Sequence, residues 1–298
     1  MTVTPPIMPD SLRVPHEKSV GPAVNLIRAD PSIARPLILA SPHSGREYPA
    51  ELCAQTRIPV AQLRRSEDAY VDLLVEGAGA HGASLLCALF PRVFVDVNRA
   101  RGELDPAMYR DRLEFRADPP SRRVASGLGV IPRVGSAGQP LYRHRLDFQD
   151  AQTRLSDFYE PYHDCLAGLI NETRRKFGFA VVMDMHSMPE HSAPGVAFVL
   201  GDRHGESCDP RIIAAIEAQL RGQGFVTVRN TPYAGGHTTE YYGQPATGVH
   251  VIQIEINRGL YLHENRVMPN AQFEPFRQQL QLFIKEISAQ NWSGLTPS

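Results

Sequence analysis

The stretch FAVVMDMHS, residues 179–187, decides the fold. Its first half is continuously apolar, which is typical of a strand buried on both faces of a sheet. The stretch VHVIQIEIN, residues 249–257, has the same character. Each run carries polar side chains toward its end, so the pattern predicts a buried sheet whose strands end in functional groups.

Strands and helices alternate through most of the remaining chain. Further strands are predicted at 36–40, 83–90, 92–99, 195–202 and 225–230. Helices are predicted at 59–80, 150–177 with a kink at Pro161, 209–222 and about 270–290. This alternation favours an α/β domain with helices on both faces of a mixed, mostly parallel sheet.

Two segments do not fit the alternation. Residues 1–36 are rich in proline and weakly periodic, so we predict an extended N-terminal arm in front of a single catalytic domain over 37–298. Residues 101–140 are long for a connection within a compact domain, which predicts a functional excursion. A substrate lid and a subunit contact are both open for it, so an oligomer is possible.

The composition excludes several classes of function. Lys and Arg number 31 and Asp and Glu 32, for a net charge of −1, so neither a nucleic-acid nor a polybasic membrane surface is expected. No apolar run is long enough for a membrane span, and the first residues lack the pattern of a signal peptide. The four cysteines form no CxxC pair, so we expect reduced thiols in a cytoplasmic protein.

Polar side chains gather at the predicted strand ends. His43 follows the first strand in SPHSG, Asn98 and Arg99 end RVFVDVNR, and Glu255 comes late in VHVIQIEIN. In DMHS, strand alternation places Asp184 and His186 on one side, and a carboxylate beside a histidine is the arrangement that orients a metal-binding imidazole. Ordinary roles stay open at this point, such as a histidine in a surface turn or at a strand end.

Two of these positions form a ligand set with Asp68, which lies in the middle of the helix predicted at 59–80. His43, Asp68 and His186 supply two imidazoles and a carboxylate, which suits one catalytic zinc with an open position for water, although other divalent metals are possible. Asp68 on a polar helix face could also be merely solvated. Glu255 is costly to bury alone and is expected to act as the general base, with Arg258 or Arg99 as the alternative, structural partner.

The pair Asn98 and Arg99 combines an amide with a guanidinium, which binds a carboxylate in bidentate fashion. The expected partner is therefore a small molecule with a carboxylate and a scissile amide. HExxH, GxSxG and Walker A motifs are absent from the sequence, which excludes the classes that depend on them.

Taken together, the motifs resemble the N-formylglutamate amidohydrolase family, between about residues 37 and 263. They are ASPHSGREYP, RSEDAYVDLL, RVFVDVNR, YEPYHDCL, VMDMHSM, LGDRHG, NTPYAGGHTTEYYGQP and GVHVIQIEINRGLY. The resemblance implies a three-layer α/β/α sandwich of the zinc-exopeptidase, phosphorylase/hydrolase-like type. It also implies one zinc ion and hydrolysis of N-formyl-L-glutamate to formate and L-glutamate, a reaction of histidine degradation.

The resemblance also assigns residues. His43 and His186 resemble the two histidine ligands, Glu255 the catalytic glutamate, and Asn98-Arg99 the pair that grips a substrate carboxylate. The carboxylate ligand is less well defined, because zinc carboxypeptidases have it three residues after the first histidine, where this chain has Arg46. Asp68 is favoured by its motif, and the alternatives are Glu67 and Glu47.

The glycine-rich segment YAGGHTTEYYG, residues 233–243, suits a loop that closes over substrate. His237 is a candidate catalytic residue and Thr239 a candidate contact to the substrate, while a plain surface turn is the alternative. A substrate with two carboxylates needs a second cation, and the candidates for it are Arg92, Arg145, Arg154 and Arg258.

Two other functions compete with the leading hypothesis. One is a related zinc hydrolase of another N-acyl amino acid or a small peptide. The other is a metal-dependent binding protein without catalysis.

Overall fold

The computed structural model describes residues 23–111, 121–292 and 294–295. Its centre is a mixed seven-stranded sheet with the strand order β1-β3-β2-β4-β7-β5-β6. Its strands are β1 (Val24–Ile27), β2 (Leu37–Ser41), β3 (Ser84–Ala88), β4 (Ala180–Met188), β5 (Phe198–Gly201), β6 (Thr227–Arg229) and β7 (Val249–Asn257). β1 pairs antiparallel with β3 and β5 antiparallel with β7, and the other neighbours are parallel.

Helices cover both faces of this sheet. They are α1 (Ala50–Gln55), α2 (Val60–Leu63), α3 (Val71–Val75), α4 (Arg122–Ala125), α5 (Phe148–Arg154), α6 (Glu160–Phe177), α7 (Pro210–Gly222), α8 (His237–Tyr242) and α9 (Phe273–Ser288). A small hairpin is formed by β8 (Leu262–His263) and β9 (Met268–Pro269). Short 3-10 turns lie at Pro106–Met108, Glu190–Ser192, Arg203–Gly205, Pro245–Thr247 and Arg258–Leu260. No helix in the described ranges is both long and apolar enough to cross a membrane.

The two faces of the sheet carry separate cores. Side chains that alternate along β2 illustrate this, since Leu37 and Leu39 join one core and Ile38 and Ala40 the other. We call the first the α9 face, because α3, α7 and α9 cover it, and the second the α6 face, because α1, α2, α5 and α6 cover it. This arrangement confirms the predicted three-layer α/β/α fold with a mixed, mostly parallel sheet.

The predicted strands at 179–187 and 249–257 are confirmed as β4 and β7, whose residues are all buried. The predicted strand at 92–99 is wrong. These residues form turns, in which the N–H groups of Phe94 and Val95 bond to the carbonyl of Pro91. Side chains 93–95 and 97 are all buried in the core of the α6 face, so packing rather than strand pairing accounts for their apolar character.

The continuous helix predicted at 59–80 is also wrong. α2 runs into a 3-10 turn at Arg64–Ser66, and α3 runs into another at Glu76–His81. Between them Tyr70 adopts a left-handed backbone conformation with φ of 65°, which ends any helical path. Asp68 lies in this break rather than on a helix face.

The helix predicted at 150–177 is present with a local irregularity. A π-helical stretch at Leu155–Tyr159 joins α5 to α6 just before Pro161. Proline lacks the N–H that would continue the α-helical pattern, so a bulge at this point follows from the sequence.

Two predicted segments lie partly outside the described residues, namely 1–22 of the arm and 112–120 of the excursion. The described end of the arm contains β1, which forms the edge of the sheet. The described part of the excursion includes the one-turn helix α4.

Candidate metal centre and active site

The site lies where β2, β4 and β7 end. These strands are parallel neighbours, so their carboxyl ends meet at one edge of the sheet. His43 lies in the turn after β2, and His186 and Glu255 are direct neighbours in the register of β4 and β7. Gly45 allows the His43 turn to approach the chain closely, because a Cβ there would overlap the carbonyl of Phe90.

Asp68 reaches the same place from the break between α2 and α3. Its backbone N–H donates to the carbonyl of His43 at 3.0 Å, which fixes the break against the turn that follows β2. The helix break that sequence periodicity missed is thus what brings the carboxylate to the two histidines.

Three ligand atoms face one another. The Nδ1 atoms of His186 and His43 lie 3.0 and 3.3 Å from the same oxygen, Oδ2 of Asp68. Candidate ligand atoms of the three residues all lie within 4.8 Å of one another, and all three residues are buried. His43 Nδ1 is buried but makes no hydrogen bond, as expected for a nitrogen whose partner is a metal ion.

The outer nitrogens of both imidazoles are held by carboxylates. His43 Nε2 lies 2.7 Å from Asp96 and His186 Nε2 lies 3.0 Å from Asp184. Such pairs fix the tautomer and the orientation of an imidazole and direct its other nitrogen toward a metal. Asp184, which the sequence predicts to orient His186, lies within hydrogen-bond distance of its Nε2, whereas Asp96 was not predicted.

The electrostatics of the group favour a cation. Burial by itself would raise the pKa of Asp68, but the hydrogen bond from His186 and the nearby His43 hold it well below its usual value. Burial opposes the charge of His186, yet Asp184 and Asp68 raise its pKa well above the usual value. The carboxylates of Asp68 and Asp184 thus favour a positive charge at this point. Arg258 donates to Oδ1 of Asp68 at 2.9 Å, so Oδ2, which faces the two histidines, is the oxygen that a metal would contact.

The two rival carboxylates lie elsewhere. Glu67 is buried but is engaged by Arg64 and by the hydroxyl of Tyr48 at 2.8 Å. Glu47 is exposed. Neither belongs to the group of side chains that could hold a metal.

Glu255 is buried beside this group. Gln253 donates a hydrogen bond of 2.8 Å to its carboxylate, so neither Arg258 nor Arg99 is the structural partner that the sequence suggested. Burial, aided by the negative charge of Asp68, raises its pKa to about 7 although His186 and Arg92 act in the opposite direction. A carboxyl group with a pKa near neutrality is suited to take up and release a proton.

A cavity of about 460 Å³ opens in front of these residues. Its walls combine the ligand group, Glu255 and several basic and glycine-rich positions. They are His43, Asp68, Arg92, Asn98, Arg99, Arg123, Leu128, His186, Ser187, Pro189, Pro232, Tyr233, Ala234, Gly235, Gly236, Gln253, Glu255 and Arg258.

Asn98 lines the cavity inside a network of hydrogen bonds. Its side-chain oxygen accepts from the backbone N–H of Thr238 at 2.8 Å, and its Nδ2 lies 3.2 Å from His186 Nε2. Gly236 makes this packing possible, because a Cβ there would overlap the Asn98 amide. Asn98 thereby fixes the segment at Thr238 against the wall of the cavity.

Arg92 and Arg99 also line the cavity, as predicted from sequence for substrate contacts. Both approach Asp96, at 2.9 and 3.6 Å respectively. Of the other arginine candidates, Arg258 lines the cavity, whereas Arg145 is exposed away from it and Arg154 is buried in contacts with Asp150, Gln55 and Tyr142.

The structure does not bring His237 or Thr239 to the cavity wall. His237 stacks on Tyr241 and faces Tyr159, and Thr239 donates to the carbonyl of Gly236. The glycine-rich segment lines the cavity with residues 233–236, and Thr238 contacts Asn98 behind that wall. His237 is predicted as a site residue from its place in the glycine-rich segment, and the sequence does not reveal that the first turn of α8 directs its ring toward Tyr241 and Tyr159.

Four residues of the site were missed. Gln253 lies two positions before Glu255 in β7, and the alternation that linked Asp184 to His186 could have found it, whereas Asp96 lies in the turns at 92–99, where alternation does not apply. Thr238 contacts Asn98 partly through its backbone N–H, and Arg123 lies in the 101–140 excursion, which has no regular pattern. No local sequence pattern therefore predicts that these two residues belong to the site.

Comparisons with known proteins agree with this architecture. Residues 35–262 match the model of the N-formylglutamate amidohydrolase family. The N-formylglutamate deformylase of Pseudomonas aeruginosa is 30% identical over 238 residues, covering 77% of this chain and 83% of that protein. The N-formylglutamate deformylase of Pseudomonas putida is 26% identical over 260 residues, covering 85% of this chain and 90% of that protein. The crystal structure of N-formylglutamate amidohydrolase from Ralstonia eutropha has a TM-score of 0.84 and 33% identity, covering 89% of this chain and 97% of that one.

Fold, site and likeness together define an enzyme of the amidohydrolase class, which acts on linear amide bonds. Within that class, the chain belongs to the N-formylglutamate amidohydrolase family.

Proposed function

We propose that this protein is a zinc-dependent amidohydrolase that hydrolyses N-formyl-L-glutamate to formate and L-glutamate, as in histidine degradation. The names of its relatives support the substrate. The observation that carries the proposal is the convergence of His43 Nδ1, His186 Nδ1 and Asp68 Oδ2 next to Glu255.

His43, Asp68 and His186 would hold the metal, since Nδ1 of both histidines and Oδ2 of Asp68 converge and their other polar atoms are held by the protein. Two nitrogens and one carboxylate oxygen form a donor set typical of catalytic zinc. Bound there, zinc would polarise the formyl carbonyl and make a water molecule more acidic.

Glu255 moves the proton in this proposal. It accepts a proton from the water whose oxygen attacks the formyl carbon, and it delivers that proton to the nitrogen as the carbon–nitrogen bond breaks. Its position beside His186 in the sheet and its pKa of about 7 support both roles.

Arg92 and Arg99 supply positive charge for a substrate carboxylate, and Asn98 keeps the segment at Thr238 in place. Asp184 and Asp96 orient the two imidazoles. His237 and Thr239 have no part in the chemistry that we propose.

The decisive experiment combines metal analysis with an assay of formate release. We expect about one zinc per chain, loss of activity with a chelator, and recovery when zinc is added back. The Glu255→Gln variant should keep its metal while kcat falls by about 10²- to 10⁴-fold, the range for loss of a general base. Glu274→Gln, on the exposed surface of α9, is the matched control and should stay fully active. Near-normal turnover by Glu255→Gln would contradict its role.

A second candidate function is the hydrolysis of larger N-acyl amino acids or small peptides. A second cavity of about 460 Å³ shares Arg92, Arg99, Tyr233 and Arg258 with the first, which provides space for a longer acyl group. A panel of N-formyl, N-acetyl and dipeptide substrates under one metal condition distinguishes the two candidates. A chain that binds zinc and hydrolyses none of them would instead be a metal-dependent binding protein.

A further inference from the structure

The cavity is unusually rich in guanidinium groups. Arg92, Arg99, Arg123 and Arg258 all line it. Arg258 is committed to the protein, because it donates to Asp68 at 2.9 Å and to Ser187 at 3.0 Å. Arg92 donates to Asp96 at 2.9 Å.

Arg99 is largely occupied as well. Its Nε donates to the carbonyl of Leu128 at 2.9 Å and its Nη1 to the carbonyl of Asn98 at 2.7 Å. Its remaining nitrogen lies 3.6 Å from Asp96, the carboxylate that also serves His43 and Arg92. The single carboxylate of Asp96 thus faces His43 and two arginines, Arg92 and Arg99.

Arg123 adds a further positive charge to this wall. Among the residues that the structure describes, which omit 112–120, it forms no ion pair with a carboxylate. Burial lowers the pKa of Arg99, and the charges of Arg92 and Arg123 lower it further although Asp96 acts in the opposite direction. Like charges gathered in a partly buried wall are unfavourable unless an anion joins them.

The backbone that carries Arg123 is held firmly. Ser121 caps α4 by accepting from the N–H of Val124, and its hydroxyl donates to Glu103 at 2.7 Å. The Val124 side chain is buried, while Arg123 next to it faces the cavity. The anchoring on both sides makes Arg123 a defined element of the wall rather than a surface side chain.

We propose that Arg123 binds the side-chain carboxylate of a dicarboxylic N-acyl amino acid and thereby selects acidic substrates over neutral ones. The inference rests on the proposed function, in which Arg92 and Arg99 face the other carboxylate. It also gives a purpose to part of the 101–140 excursion.

The test compares N-formyl-L-glutamate with its neutral isostere N-formyl-L-glutamine. In Arg123→Gln we expect kcat/KM for the glutamate substrate to fall by about 100-fold, as for loss of one partner of a buried charge pair. For the glutamine substrate it should change by less than about threefold. Arg123→Lys, which keeps the charge, should restore a large part of the preference. Arg122→Gln, an exposed neighbour on α4, is the matched control and should behave like wild type.

Two outcomes would overturn the inference. One is an equal loss with both substrates, which would mean a structural role, and the other is an unchanged preference in Arg123→Gln. If wild-type enzyme hydrolyses neither compound, the proposed function fails, and calorimetric binding of L-glutamate and L-glutamine to the zinc-loaded protein then tests Arg123 by itself. Tighter binding of glutamate that disappears in Arg123→Gln supports the inference, and a preference that persists contradicts it.

Discussion

The two faces of β4 and β7 differ in chemistry although both are fully buried. On the α9 face the strands carry Met183, Met185, Ile254 and Ile256 along the stretch that leads to the site. On the α6 face they begin with Ala180, Val182, Val249 and Val251 and then change to Asp184, His186, Gln253 and Glu255.

This difference in chemistry indicates that the α9 face mainly contributes stability and the polar half of the α6 face forms the site. Apolar side chains contribute stability in proportion to the area they bury, and an alternative side chain of similar volume can replace them. Buried polar groups instead need specific partners, and here each of the four has one. Changes on the α9 face should therefore affect stability, and changes on the polar half of the α6 face should affect the site.

The largest expected effect separates two neighbouring residues of β4. His186→Ala removes a proposed ligand, so we expect zinc affinity to fall at least about a thousandfold and activity to be lost. Met185→Ala, on the opposite face and completely buried, should cost about 2–5 kcal/mol of unfolding free energy while zinc still binds. Zinc competition titrations and urea unfolding measure the two quantities. Equal zinc affinity in His186→Ala and Met185→Ala would contradict the assignment of metal binding to the α6 face alone.

The next effect is a pH dependence of stability in the metal-free protein. The pKa of Glu255 is raised from about 4.5 to about 7 by burial, so the unfolded chain releases this proton at lower pH than the folded one. The stability that protonated Glu255 contributes is complete below about pH 4.5 and is lost as pH rises toward 7. Glu255→Gln stays neutral, so its unfolding free energy relative to wild type should rise by up to about 3 kcal/mol over this interval.

Urea unfolding of both proteins in chelator at several pH values measures this difference, in which titrating groups remote from Glu255 cancel. Glu274→Gln, exposed on α9, should give a difference that does not vary over the same pH range. A wild-type minus Glu255→Gln difference that is constant with pH would contradict the raised pKa.

The sequence allowed the α/β fold and much of the site to be predicted, because both depend on local patterns. The long apolar runs of β4 and β7 identify buried parallel strands, and the strand ends identify His43, His186 and Glu255. The choice of Asp68 came from a motif resemblance, while the helix that was predicted around it is broken in the structure.

The remaining errors involve contacts between distant segments. Residues 92–99 have the composition of a strand but pack as turns against α5 and α6, and no local pattern distinguishes the two. Arg123 reaches the cavity from a segment without regular periodicity, and His237 turns away from it on a short helix. Such placements depend on tertiary packing, which overrides local propensity.

An intermediate effect should come from the carboxylate that orients His186. Asp184→Asn keeps the size of the side chain and all three proposed ligands. In the wild-type structure Asp184 lies 3.0 Å from Nε2 of His186, and the neutral amide is a weaker acceptor for this N–H. Loss of such a partner reduces metal affinity by about 10- to 100-fold. Met183→Leu, the preceding residue on the α9 face, is the control and should leave zinc affinity unchanged. The prediction fails if both variants bind zinc like wild type.

The smallest expected effect on zinc concerns Glu67, the neighbour of Asp68 in the sequence. Both carboxylates are buried, but Asp68 faces the two histidines, while Glu67 bonds to Arg64 and Tyr48 on the other side of the chain. Glu67→Gln should therefore lower the unfolding free energy by about 1–3 kcal/mol through weakened hydrogen bonds to a buried charged group. Its zinc affinity should stay within about threefold of wild type, whereas Asp68→Asn should reduce that affinity far more strongly. Competition titration of both variants against one chelator gives the answer, and a larger loss of zinc in Glu67→Gln would make Glu67 the ligand. If zinc affinity instead falls only in Asp68→Asn, the contrast between the two faces of β4 extends to the helix break, where Glu67 contributes to stability and Asp68 to metal binding.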